Sequence, residues 1–98
     1  MPPVALPIAA SHPAFDGHFP GAPVLPGVVL LDETIRAIEL TDGGEPRRWR
    51  VAAVKFLRVV VPGEALVLEQ ERLASRTVRF TVLSAGQAVA TGALSLES

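Results

Sequence analysis

Asp16 to Glu33 reads DGHFPGAPVLPGVVLLDE, and it limits the folds open to this chain more than any other stretch. It holds three of the eight glycines and three of the nine prolines, with Pro20, Pro23 and Pro26 at three-residue intervals. Proline locks φ and glycine admits conformations closed to other residues, so this density fixes a backbone path. The path runs into an apolar segment, Val28 to Leu40, in which Val28, Leu31, Ile35 and Ile38 recur at spacings of three and four. That is the period of a helix, opened by Pro26-Gly27. Val29 and Leu30 make its first half apolar nearly all round, the pattern of a helix buried on most sides. A polyproline II ligand is the competing reading of the proline spacing. The apolar Val24 and Leu25 and the adjoining helix favour a braced loop instead.

The remainder supplies a scaffold for that loop. Pro3 to Ala10 is a short apolar run bounded by prolines, suited to an edge strand. Thr41 to Pro46 stops the helix with Gly43-Gly44 and a following proline. From Arg47 the period falls to two, with Trp49, Val51 and Ala53 alternating against Arg48, Arg50 and Ala52 in a run that continues to Val61. Pro62-Gly63-Glu64 turns the chain, Ala65 to Leu73 forms the next strand, and Ala74-Ser75 is a tight connection. Arg76 to Leu83 sets Val78, Phe80 and Val82 against Thr77, Arg79 and Thr81, and Ser84 to Gln87 is a hairpin loop before a last strand, Ala88 to Leu96. Four successive strands with short turns predict an antiparallel meander with the helix on one face, an α+β domain spanning 1–98.

Composition narrows the function classes. Nine basic and ten acidic residues give a net charge of −1, which offers no electrostatic footprint for nucleic acid. With no cysteine there is no disulfide framework, thiolate nucleophile or thiolate metal site. The N-terminus lacks the positive region of a signal peptide, and no run reaches the ~18 apolar residues of a membrane span. A cytoplasmic protein is expected. Ninety-eight residues are at the small end for self-sufficient stability, which favours an oligomer.

Within the loop, His18 sits between Gly17 and Phe19-Pro20, in backbone that holds a general base in place. His12, in Ser-His-Pro, reads as an ordinary turn residue. Asp32 falls between Val28 and Ile35 at the border of the apolar arc, where desolvation suits a carboxyl to act as an acid. Glu33 lies nearer the polar side and is the weaker candidate. The bland reading of Asp32 is an i,i+4 ion pair with Arg36 on an exposed surface. Gly27 opens the helix, where the first N–H groups have no internal partner and a developing oxyanion is stabilised. Base, oxyanion donor and acid suit proton abstraction beside a carbonyl. The loop and the second helical turn do not obviously face one another within one chain, and a symmetric dimer would bring one chain's histidine to the other's helix.

Gly17-His18-Phe19-Pro20-Gly21-Ala22-Pro23-Val24-Leu25-Pro26-Gly27-Val28 resembles the signature of the β-hydroxyacyl-acyl carrier protein dehydratases of the FabA/FabZ type, which have the hotdog fold. Val54-Lys55-Phe56-Leu57-Arg58 followed by Val60-Val61-Pro62-Gly63-Glu64 is similar to the family's strand and turn after the helix. The resemblance implies one long central helix wrapped by a curved antiparallel sheet of about five strands, and a homodimer with two shared active sites. It assigns His18 as base, Asp32 as its carboxylate partner from the other subunit at the fourteen-residue spacing, and the Gly27 amide to the thioester carbonyl. The implied reaction is syn-type loss of water from a (3R)-hydroxyacyl thioester on acyl carrier protein, giving a trans-2-enoyl thioester, with no cofactor and no metal.

Aspartate at position 32 is a feature of the isomerising FabA-like members, whereas many FabZ-like members carry glutamate. Glu33-Thr34-Ile35-Arg36 departs from the Ala-x-x-Gln pattern common in FabZ-like helices, and the chain begins about where the family's second strand would be. Short relatives of this kind resemble the ApeI-like dehydratases of aryl-polyene pigment clusters. A hotdog thioesterase and a non-catalytic acyl-binding or heterodimer-partner domain are the competing functions. Arg47, Arg48 and Arg50, with Arg36 or Arg58, are candidates for docking an acidic carrier.

Overall fold

The structure, a computed structural model, describes residues 2–8, 11–13, 24–74 and 76–97. The elements run β1 (Val4–Leu6), α1 (Gly27–Thr41), β2 (Trp49–Phe56), β3 (Leu66–Ala74), β4 (Thr77–Ser84) and β5 (Gln87–Leu96). Among the described residues, five strands join one antiparallel sheet in the order β1-β3-β4-β5-β2. With the one helix among the described residues, this is the hotdog arrangement.

The meander expectation holds only for β3, β4 and β5. Strand β2 pairs with β5, from Trp49 opposite Leu96 to Phe56 opposite Ala90, and so lies at the edge away from β3. The connection from 57 to 65 is too long for a tight hairpin, and its middle is already committed: Leu25 and Val60 form an isolated antiparallel bridge, with Leu25 N–H donating to Val60 O at 2.8 Å. A two-residue turn does join β4 to β5, where Ala85 and Gly86 have φ of 50° and 80°.

Strand β4 lies in the middle of the sheet, and Val78, Phe80 and Val82 all turn to the core. Leu68 of β3 and Leu94 of β5 meet them on the same face, fully buried. Helix α1 covers part of this face with the i,i+4 row Leu30, Thr34 and Ile38. Thr34 is the polar member of the row, and its hydroxyl is satisfied by the Leu30 carbonyl at 2.8 Å. The helix is therefore buried along one side only within the chain, contrary to the expectation from its apolar first half. Val28 and Leu40 are each 74% exposed.

The exit of α1 is anchored by its own acidic residues. Asp42 N–H donates to the carbonyls of Ile38 and Glu39. The Glu39 carboxylate accepts from Arg47 N–H at 2.8 Å and from the Trp49 indole at 3.1 Å. Asp42 pairs with Arg47 at 3.4 Å and with Arg72 at 3.2 Å, so the end of the helix is tied to β2 and β3.

Candidate active site

Pro26, extended at φ −60° and ψ 142°, caps α1 without a side-chain bond. Its carbonyl accepts from Val29 at 3.0 Å and Leu30 at 3.1 Å, so the N–H groups of Gly27 and Val28 lie ahead of the helical ladder. Beside them is an apolar cavity of about 230 Å³ lined by Leu25, Gly27, Leu30, Phe56, Val59 and Val60, with Arg58 at its wall. A side chain at position 27 would crowd the Phe56 ring. A Cβ at this position would stand 3.0 Å from two carbons of the Phe56 ring.

His18, with the loop from 14 to 23, lies outside the described residues. Asp32 points away from the chain's own core, with its side chain 60% exposed and 3.3 Å from Arg36. The reading that put it on a nearly buried face is corrected for the single chain: the buried row passes through Leu30 and Thr34, and a residue two positions away points to about the opposite side. Glu33 is the more enclosed carboxylate, 24% exposed, with its Oε1 3.9 Å from His12 Nε2. The helical wheel therefore ranked the two carboxylates in the reverse order of their burial. His12, read as a plain turn residue, lies against the helix.

Of the arginines considered for docking, Arg47 is taken by Asp42, Arg36 by Asp32 and Arg58 by Glu64. Arg48 and Arg50 are exposed and have no ion pair among the described residues.

Glu64, read from sequence only as a turn residue, is the most heavily bonded side chain near the cavity. Its Oε1 accepts from Arg58 Nη2 and from Ser84 Oγ, both at 2.7 Å, and its Oε2 accepts from Val61 N–H at 2.7 Å. Arg58 and the Val61 amide hold this carboxyl well below the usual carboxylate range, at a pKa of about 2. The sequence did contain a signal, opposite charges flanking Pro62-Gly63.

The family model described as ApeI dehydratase matches residues 3–93, and the chain belongs to this ApeI-like family. A 3-hydroxyacyl-[acyl-carrier-protein] dehydratase FabZ from Haemophilus ducreyi is 35% identical over 100 residues, covering 93% of this chain and 64% of its own. Its counterpart from Thermus thermophilus is 38% identical over 77 residues, covering 70% of this chain and 54% of its own. The chain thus spans about half to two thirds of the length of the curated relatives it matches. Among solved structures, the dehydratase heterocomplex ApeI:P from Xenorhabdus doucetiae superposes with a TM-score of 0.76 at 24% identity, over 98% of this chain and 86% of that one. A protein from Erwinia carotovora subsp. atroseptica does so with a TM-score of 0.67 at 25% identity, over 97% and 79%.

Proposed function

We propose that this chain dehydrates (3R)-3-hydroxyacyl thioesters borne on acyl carrier protein to trans-2-enoyl thioesters, in the cytoplasm, as a single domain over 1–98 that works in pairs. The observation that carries this reading is the family match over residues 3–93, nearly the whole chain. In the proposed mechanism the thioester carbonyl lies at the start of α1, where the Gly27 N–H stabilises the enolate oxygen. His18 removes the α-proton. Asp32 of the other chain of the pair delivers a proton to the departing 3-hydroxyl, so that water leaves and the double bond forms. Both groups must regain their starting protonation before the next turnover.

Pairing is supported by surface that the chain leaves bare. Val51 and Phe56 are paired opposite Leu94 and Ala90, so they face the core side of the sheet, yet they are 44% and 48% exposed. Among the described residues strand β2 bonds only to β5, leaving its other edge open, and Leu57 and Val59 that follow it are 52% and 59% exposed. An edge of this kind is a template for a second chain. We assign that chain to a second copy. Arg48 and Arg50 are the residues left to meet an acidic carrier, and added salt should then raise the apparent KM.

The test is dehydration of a 3-hydroxyacyl carrier-protein thioester, followed by enoyl absorbance, in wild type and His18→Ala. Loss of a positioned general base should lower the rate on the order of 10²- to 10⁴-fold. An unchanged rate would remove His18 from the mechanism, and release of free thiol without enoyl product would mean thioester hydrolysis.

A further inference from the structure

The segment from 57 to 65 forms one wall of the Gly27 cavity, yet it belongs to no named strand. What holds it is a small set of polar contacts. Leu57 N–H reaches Val89 O at 2.8 Å, Leu25 N–H reaches Val60 O at 2.8 Å, and the remaining bonds converge on Glu64. Arg58 contributes twice, since its Nη1 also donates to Val59 O at 2.9 Å. Ser84, at the end of the central strand β4, connects this cluster to the rigid middle of the sheet. The Glu64 side chain is only 15% exposed, so its bonds to Arg58 are less screened than those of a surface pair.

We infer that Glu64, fixed by Arg58 and Ser84, is a positioning residue that sets the Val59–Val60 wall of the cavity at the distance from Gly27 that a bound acyl thioester requires. The inference rests on the reading of Gly27 as the thioester site. Glu64 does not line the cavity; it acts through the backbone of Val61 and through Arg58, whose neighbours Val59 and Val60 do. Its pKa of about 2 keeps the clasp charged throughout any neutral working range.

The test compares wild type, Glu64→Gln, Ser84→Ala and Arg58→Lys in two measurements. One is steady-state dehydration of 3-hydroxybutyryl-N-acetylcysteamine. The other is calorimetric binding of butyryl-N-acetylcysteamine, which keeps the carbonyl but has no hydroxyl to lose. Glu64→Gln is expected to raise KM and Kd about tenfold with little change in kcat, since it loses charge-assisted bonds that serve binding alone. Ser84→Ala, which deletes one hydrogen bond, should raise both about threefold. Arg58→Lys should fall between the two, because an ammonium keeps the charge but not the fork. Should Glu64→Gln fail to fold, Ser84→Ala decides. KM and Kd within about twofold of wild type in a folded Glu64→Gln, or a fall in kcat alone, would overturn the inference while leaving the thioester reading intact. A wild type that neither dehydrates the one probe nor binds the other overturns the thioester reading, and this inference with it.

Discussion

Asp32 and Glu33 are adjacent in sequence but about 100° apart around α1, and that rotation separates an outward carboxylate from a half-enclosed one. The proposed acid is the outward one. For a shared site this is the useful direction, because a carboxylate facing its own core cannot reach a neighbouring chain. Exposure also means that Asp32 contributes little to the fold, since its pair with Arg36 is a surface i,i+4 contact worth well under about 1 kcal/mol. Asp32→Asn should therefore abolish dehydration with little loss of thermal stability. Glu64 is the opposite case. Its carboxyl titrates near 2 in the fold against 4.5 as the ordinary value, so between these limits the unfolded chain binds more protons. The stability it supplies is complete above about pH 4.5, declines as pH falls, and is gone once pH passes below about 2. Urea unfolding across that range should show wild-type stability dropping with acid more steeply than that of Glu64→Gln, which starts lower at neutral pH. Parallel curves for the two proteins would rule out Glu64 as the source.

At the scale of elements, local pattern was informative where a single chain settles the packing. The helix was legible from Pro26-Gly27 onward because its period and its stops are local, and it runs Gly27–Thr41. The alternation of β4 was legible because both its neighbours lie in the same sheet. The position of β2 was not. Alternation says that a segment is a strand, but the choice between β3 and β5 as partner depends on where Val60 is held, a contact with Leu25 thirty-five residues earlier. The pairing of β2 also contains an irregularity between Val51 and Ala53, which shifts every later side chain by one position and breaks the simple alternation from Trp49. Gly92, opposite Val54, is what lets β5 pass this point. A Cβ there would lie 2.6 Å from Ala53 O and 2.7 Å from the Phe80 ring. Gly92→Ala should destabilise by about 1–3 kcal/mol, as overpacking of a filled core does, and a calorimetric melt would show it as a fall in Tm. An unchanged Tm would mean that the strand crossing is looser than these distances imply.

For the whole molecule, the proposed pairing accounts for both the bare side of the sheet and the outward carboxylate. Helix α1 buries Leu30, Thr34 and Ile38 against the core side of the sheet and leaves Val51 and Phe56 in the open, where the proposed second copy would cover them. In the proposed site each catalytic pair then takes His18 from one chain and Asp32 from the other. That division makes a specific prediction for mixtures of inactive variants. His18→Ala pairs lack both bases, and Asp32→Asn pairs lack both acids. A mixed pair, however, has one site with both defects and one site with neither. When equal amounts are unfolded together and refolded, about half of the pairs are mixed and half of their sites are intact, so activity should return to about a quarter of wild type. Titrating the ratio away from equality should lower the recovered rate symmetrically. If each site were built within one chain, no mixture would recover activity, because every site would still carry one lesion. Recovery therefore separates a site shared between copies from one that is merely near an interface, and it does so without any structure of the pair.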